Sequence, residues 1–416
     1  MQKLKIKGPV SLNGEVEISR AKNAYLPILA AILLTDKKVR LKNLPNLRDI
    51  KTMIQLLKNL GVQIEEDGDY TVFDASTLNS HEATYELVKT MRASIFVLGP
   101  LLTRLNKAKV SLPGGCAIGT RPIDIHLSNL EKMGAKIDLR AGYVEANTDG
   151  LQGAKLPLKF PSVGATENLM MAAVYAKGTT VIENAAMEPE IDDLANFLNS
   201  MGAKISGIGT NKITVEGVDE LCETDYEAIG DRIEAATYVI AGLMTNSEIK
   251  VTRFNPEHLE FVLDKLIDMG AKLEIGKDYV KTFPSKLKGA KIETAPFPGF
   301  PTDVQAQMVA LCAVVEGNSI IAENIFENRF MHVPELMRLG SKMDQQGSSL
   351  FIEGGAKLVG APVMCTDLRA SAALVLAALV SEGETIIDRI YHLERGYENL
   401  SLKFQKLGAK IEVINE

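Results

Sequence analysis

The residues best suited to chemistry lie close together in segment 112–124, LPGGCAIGTRPID. Glycines at 114, 115 and 119 and prolines at 113 and 122 exclude a regular helix and predict an exposed, bendable loop. Cys116 stands between Gly115 and Ala117, with little apolar sequence to bury its thiol and Arg121 nearby. A cation beside a partly open thiol favours thiolate, the form that attacks and exchanges protons. The plainer alternative is a surface loop with an incidental cysteine, because most free cysteines are buried small hydrophobes.

Further polar clusters open apolar segments along the chain: Lys22-Asn23, Arg92, residues 162–167 (SVGATE), Asp231-Arg232, Thr302-Asp303 and Asp367 with Arg369. The segments behind them read as helices. A helix N-terminus offers free N–H groups and a positive dipole end, which suits anions. Lys22, Arg92, Arg121 and Arg369 would add charge-assisted contacts if these ends meet in one cleft. Each cluster also has a local reading. Asp303 can be a first-turn acid in a capping box, Lys22 a solvated lysine, and Ser162 a loop residue and cap. Arg329 and Arg395 can be surface arginines, as most are.

The elements that must position these residues recur. The phrase LGVQI at 60–64 returns as MGAKI at 133–137 and 201–205, MGAKL at 269–273, LGSKM at 339–343 and LGAKI at 407–411. Its glycines fall roughly 70 residues apart, a period that marks an internally repeated fold. Each phrase follows a segment with helical apolar spacing, such as 191–200. The glycine suits a left-handed helix C-cap and the alternating residues after it a strand. A second phrase, LQGAKL at 151–156, LKGAKI at 287–292 and LVGAPV at 358–363, precedes Ala-rich segments that are apolar nearly all round, such as 371–379. Such helices must be buried, whereas the amphipathic ones cover sheets. Six units exceed one ordinary core, and three per domain is the economical division.

Composition bounds the rest. A chain of 416 residues that is 46% apolar can bury large cores. Its 46 basic and 53 acidic residues give a net charge of −7, with no basic footprint for nucleic acid. Cysteines at 116, 222, 312 and 365 show no metal-ligand or disulfide spacing, and reduced thiols in a cytosol fit best. The five histidines form no paired-ligand motif, so no metal is expected. The first residues, MQKLKIK, lack an apolar signal core, and the longest apolar runs are too short for a bilayer.

Segment 112–124 closely resembles the active-site loop of the UDP-N-acetylglucosamine enolpyruvyl transferases. Segments 19–23 (SRAKN), 160–166 (FPSVGAT), 294–303 (TAPFPGFPTD), 327–333 (ENRFMHV), 367–370 (DLRA) and 394–400 (ERGYENL) resemble the same family, so the likeness spans essentially the whole chain. It implies an α/β fold, a two-domain inside-out α/β barrel of six βαβαββ-type repeats, three per domain, with helices inside and sheets outside. It further implies that the N-terminal strands join the C-terminal half: 1–21 with 230–416 as a catalytic domain, and 22–229 as the domain of the Cys116 loop. Periodicity alone would not give that exchange.

The implied reaction moves the enolpyruvyl group of phosphoenolpyruvate to the 3-hydroxyl of UDP-N-acetylglucosamine, the first committed step of peptidoglycan precursor synthesis. By motif match, Cys116 resembles the acid and intermediate-forming thiol, which a phosphonate epoxide such as fosfomycin would alkylate. Asp303 resembles the base near the sugar hydroxyl. Lys22, Arg121 and Arg395 resemble the phosphoenolpyruvate clamp, with Arg92 and Arg369 supporting it. Asn23, Arg121, Pro122, Ile123, Asp124, Ser162, Val163, Gly164 and Ile325 resemble the sugar-nucleotide contacts, and Arg329 and Asp367 belong to the same substrate-binding set. The family implies no cofactor, metal, nucleic acid, membrane or obligate protein partner, and a bacterial cytoplasmic setting. Arg20 departs from the family's usual glycine at the interdomain crossing, and Thr120 and Ser371 replace smaller residues. A shikimate-type transferase and a catalytically silent sugar-nucleotide-binding paralogue are the competing readings.

Overall fold

The structure is a computed structural model and describes residues 2–88, 91–112 and 123–415, without the side chain of Arg92. Among these residues the chain forms six four-stranded sheets. Each has one plan: a parallel pair on one side, then two antiparallel neighbours. In the sheet of Lys155–Pro157, Thr179–Glu183, Lys212–Glu216 and Lys204–Ser206, Leu156 pairs in parallel with Ile182 and Ile182 antiparallel with Ile213. A parallel pair needs a crossover, and a buried helix supplies it. Here that helix is Val163–Ala173, whose residues from Ala165 onward are all buried.

The phrase glycines do what their spacing predicts. Gly61, Gly134, Gly202, Gly270, Gly340 and Gly408 all have φ between 96° and 107°. Each ends an amphipathic helix, such as Arg48–Leu60 or Pro189–Ser200, and turns the chain into the next strand.

The chain divides into two compact units, 2–19 with 230–415 and 20–112 with 123–229. Three sheets belong to each unit. The first passage falls between Ser19 and Arg20, two residues before the expected 21/22 boundary. Hydrogen bonding explains the placement. The Ser19 N–H donates to Glu234 and its carbonyl accepts from the Asp231 N–H, whereas the Ala21 N–H donates to the Ile229 carbonyl. In the first unit, strand Gln2–Gly8 lies between Gly383–Asp388 and Lys410–Asn415, and Asn13–Glu17 pairs in parallel with Glu248–Thr252.

Helices fill the interior of each unit. Arg232–Met244, Thr302–Val314 and Leu368–Val380 pack on one another, and nearly all their residues are buried. The other unit departs from this regularity in its second repeat. The apolar helix expected behind Arg92 is instead a 3₁₀ segment Arg92–Val97 and a helix Leu98–Leu105, with a short turn of helix Tyr85–Val88 ahead of them. Gly99 and Pro100 cluster at that helix's first turn, where proline's missing N–H costs nothing, and weaken continuation back through Arg92.

Candidate active site

In the unit of 230–415, the site residues converge on Asp303. It occupies the second position of helix Thr302–Val314, whose N-cap is Pro301, and no side chain caps that helix. The capping reading of Asp303 therefore fails. Its carboxylate accepts Arg329 Nη2 at 2.8 Å on Oδ1 and Arg369 Nη2 at 2.9 Å on Oδ2. Both arginine side chains are 4% exposed, against 28% for Asp303. The surface reading of Arg329 fails with it. Burial works against the charge on Arg369, but Asp303, Tyr397 and Asp231 outweigh it and hold the guanidinium firmly protonated.

Neighbouring groups hold this arrangement. Arg369 follows Asp367, which does act as an N-cap: its Oδ1 accepts the Arg369 and Ala370 N–H groups at 2.9 and 3.1 Å. Arg369 also lies over the buried Tyr397 ring at 5.7 Å, and Arg329 over Phe326 at 5.5 Å. Ile325, half-buried, donates its N–H to Glu323 Oε1 at 2.8 Å. Glu323 was not singled out from the sequence, yet its other oxygen accepts Thr302 Oγ1 at 2.9 Å and so ties the Ile325 turn to the start of the Asp303 helix. Its only sequence signal is a buried acid directly before the Ile325 motif. Arg395 is half-buried at the end of the 3₁₀ segment Ile390–Arg395.

The other unit carries the second set. Lys22 opens helix Lys22–Ala31 and pairs with Asp49 at 3.6 Å, with side-chain exposures of 12% and 6%. It is not a solvated lysine. Asn23 beside it is half-buried. Ser162 caps helix Val163–Ala173 by accepting the Ala165 N–H at 3.3 Å, and Ser162, Val163 and Gly164 are all half-buried. Ile123 is half-buried and Asp124 is exposed at the start of helix Asp124–Lys132. Arg92 starts the 3₁₀ segment Arg92–Val97. Cys116, Arg121 and Pro122 lie outside the described residues, as does the side chain of Arg92.

Three thiols are described. Cys312 and Cys365 are buried, and burial pushes them up to about 11 and about 12. Neither is a thiolate near neutral pH. Cys222 is exposed. Glu167, the last residue of the 162–167 cluster, is fully buried on Val163–Ala173 and is pushed well above the usual carboxyl range by desolvation and then by Glu190 and Glu188. Among the described residues no group of three or more His, Cys, Asp or Glu side chains is placed to hold a metal, and no helix is long and apolar enough to cross a membrane.

Residues 6–404 match the family model described as EPSP synthase (3-phosphoshikimate 1-carboxyvinyltransferase). UDP-N-acetylglucosamine 1-carboxyvinyltransferase of Pseudoalteromonas atlantica is 53% identical over 418 residues, covering 100% of both chains. The enzyme of the same name from Acinetobacter baylyi is 51% identical, again over 100% of both. The chain belongs to the UDP-N-acetylglucosamine 1-carboxyvinyltransferase family. Solved structures place this family member among the enolpyruvyl transferases: NikO from Streptomyces tendae superposes with a TM-score of 0.90 at 26% identity, covering 100% of this chain and 99% of that one. An EPSP synthase from Acinetobacter baumannii superposes at 0.76 over the full length of both chains; at 17% identity that likeness concerns the fold alone. The inside-out α/β architecture of six repeats is thus the family's fold.

Proposed function

We propose that the chain transfers the enolpyruvyl group of phosphoenolpyruvate to the 3-hydroxyl of UDP-N-acetylglucosamine and releases phosphate, feeding peptidoglycan precursor synthesis in a bacterial cytoplasm. The observation that carries the catalytic part is the Asp303 carboxylate held by two buried guanidiniums on separate oxygens. Two cations on separate oxygens of a part-exposed carboxylate orient it in two directions at once.

The chemistry then balances as an addition followed by an elimination. A proton from Cys116 goes to the methylene carbon of phosphoenolpyruvate as the sugar O3 bonds to its C2 and Asp303 takes the hydroxyl proton. The tetrahedral adduct then loses phosphate by breaking its C2–O bond while the Cys116 thiolate takes a proton back from the methyl group, which restores the double bond and the thiol, and Asp303 passes its proton to the departing phosphate. Lys22, Arg121 and Arg395 hold the phosphate and carboxylate, with Arg92 and Arg369 in support. Asn23, Arg121 to Asp124, Ser162 to Gly164 and Ile325 hold the sugar nucleotide, with Arg329 and Asp367 fixing the groups around Asp303. Every step is a proton transfer or a displacement between bound groups, so positioning and electrostatics supply the rate.

The family model's description supplies one competing reading, a shikimate-type substrate, and a catalytically silent sugar-nucleotide-binding paralogue is the other. Phosphate release separates them. With phosphoenolpyruvate present, UDP-N-acetylglucosamine should support turnover and shikimate 3-phosphate should not. Release with shikimate 3-phosphate alone would replace this reading, and release with neither would leave only a binding protein.

A further inference from the structure

We infer that Asn168 is a buried positioning residue that joins two segments of the proposed sugar-nucleotide site to the Arg92 segment and holds His126 in the neutral form protonated on Nε2. The inference rests on the reading of that site given above.

Asn168 is fully buried on helix Val163–Ala173, one turn beyond Gly164. Its side chain makes three long-range hydrogen bonds. The Gly99 N–H lies 2.7 Å from Oδ1, Nδ2 lies 3.0 Å from the Ile95 carbonyl, and Nδ2 lies 3.2 Å from His126 Nδ1. Ile95 lies in the 3₁₀ segment that Arg92 opens, and Gly99 in the helix directly after it. His126 lies in the first turn of the helix that Asp124 opens. One amide therefore ties together the Arg92 segment, the Ile123-Asp124 segment and the Ser162–Gly164 segment.

These partners leave no freedom in the assignment. A backbone N–H only donates, so the atom facing Gly99 is the amide oxygen; a carbonyl only accepts, so the atom facing Ile95 is the amide nitrogen. The second hydrogen on that nitrogen then points at His126 Nδ1, which must accept it. The imidazole proton is left on Nε2. An acceptor and two donors in one plane are what a primary amide provides, and neither Asp nor Ser offers the set.

The backbone is pressed against this tie. A Cβ on Gly99 would stand 2.4 Å from Asn168 Oδ1 and 2.5 Å from the Asn168 carbonyl oxygen. On Gly164 it would meet Phe96 Cε1 at 3.3 Å and His126 Cε1 at 3.5 Å. The imidazole thus lies against the very glycine proposed to face the nucleotide. Loss of the amide would loosen the binding segments of this unit without touching Asp303, Arg329 or Arg369, which belong to the other unit.

The test begins with the wild-type chain and UDP-N-acetylglucosamine by calorimetry. Absence of binding would defeat the site reading itself, independently of Asn168. Given binding, ¹⁵N NMR of the imidazoles, with His126→Asn to assign the signal, should report Nε2–H at His126 near neutral pH; an Nδ1–H signal overturns the inference. Asn168→Ala should raise Kd and KM for UDP-N-acetylglucosamine by about ten- to a hundredfold, the scale of one or two buried hydrogen bonds. The KM for phosphoenolpyruvate should rise by a smaller factor, through the Arg92 segment, and kcat at saturation should move by less than about threefold. A folded variant whose sugar-nucleotide Kd stays within about twofold of wild type overturns the proposal, as does a fall confined to kcat. If Asn168→Ala does not fold, a pair at His126 decides. Asn there keeps an acceptor near the Nδ1 position and Leu does not, so His126→Leu should weaken binding more than His126→Asn. Equal losses overturn the tie.

Discussion

Around Asp303 the polar groups are charged and paired, with one carboxylate between two guanidiniums that are almost wholly buried. Around Ser162 to Gly164 the corresponding work falls to a neutral amide, an imidazole and helix-end N–H groups. The difference follows from the supporting elements. In the unit of 230–415, Asp303 and Arg369 project from the starts of two long, mutually packed helices that keep their charges in register, and the buried Arg329 side chain reaches in from the turn at 327–330. In the other unit the second repeat lacks such a helix, so its short pieces depend on side-chain hydrogen bonds to backbone for their placement. The Asp303 cluster is held by strong but costly electrostatics, and the segments around Ser162 to Gly164 by directional neutral bonds.

The largest expected effect breaks the charged half. Asp303→Asn keeps the shape and one acceptor but leaves two buried guanidiniums facing a neutral group. Turnover should fall by about 10²–10⁴ through loss of the base. Because Asp303 caps nothing, the substitution is not silent in stability either: a loss of about 2–3 kcal/mol is expected, tempered by the part-exposure of the carboxylate. Urea unfolding and initial rates measure both. Wild-type stability in this variant would show that the pair of arginines is relieved by solvent and that the charged half is less committed than its geometry indicates.

A smaller effect sharpens the neutral half. Glu167 gains its raised titration from burial first, then from Glu190 and Glu188. Above the usual 4.5 the unfolded chain releases this proton while the folded chain keeps it. Stability from this group is therefore fully present below 4.5 and declines with rising pH until the folded carboxyl itself ionises, at up to about 1.4 kcal/mol per pH unit. Glu167→Gln stays neutral throughout. Its melting temperature should gain on wild type progressively from pH 5 to pH 7. Parallel curves over that range would mean that Glu167 does not carry the shift.

Much of this was legible in the sequence because repetition leaves a backbone signature. The phrase glycines were placed by their chemistry, and all six take the left-handed conformation. Ser162 as a cap follows from residue type at the head of an apolar run. Other features were not legible for physical reasons. The role of Asp303 depends on Arg329 and Arg369, distant in sequence, so the local capping rule competed with a tertiary contact and lost. Asn168 sits inside an apolar helix, where one amide among Leu and Met residues gives no pattern. The strand exchange between the ends of the chain came from family resemblance, since periodicity carries no information about which sheet a terminal strand joins. The broken second repeat announced itself only through Gly99 and Pro100.

The smallest expected effect concerns Arg20, which the family resemblance marks as a departure. Its Nε and Nη2 lie 2.8 and 2.6 Å from Glu227 Oε1, the oxygen that also accepts Asn43 Nδ2 at 2.6 Å. Burial pushes the Glu227 carboxyl up, but Asn43 and Arg20 outweigh it and hold it below its usual range. The pair lies close to the two points at which, among the described residues, the chain passes between units, 19/20 and 229/230. The φ at Arg20 is not positive, so the backbone there does not call for glycine. Arg20→Gly would then remove one part-exposed ion pair and add freedom to the unfolded chain, together costing roughly 1–2 kcal/mol. The sign for pH follows from the depressed carboxyl: the pair's contribution is present above the usual 4.5 and fades as acid titrates Glu227. Wild type and Arg20→Gly should therefore differ most near pH 7 and converge toward pH 3, with the cost shrinking in high salt. A gap independent of both pH and salt would assign the effect to backbone freedom alone, and the charged clip at the passage would have to be given up.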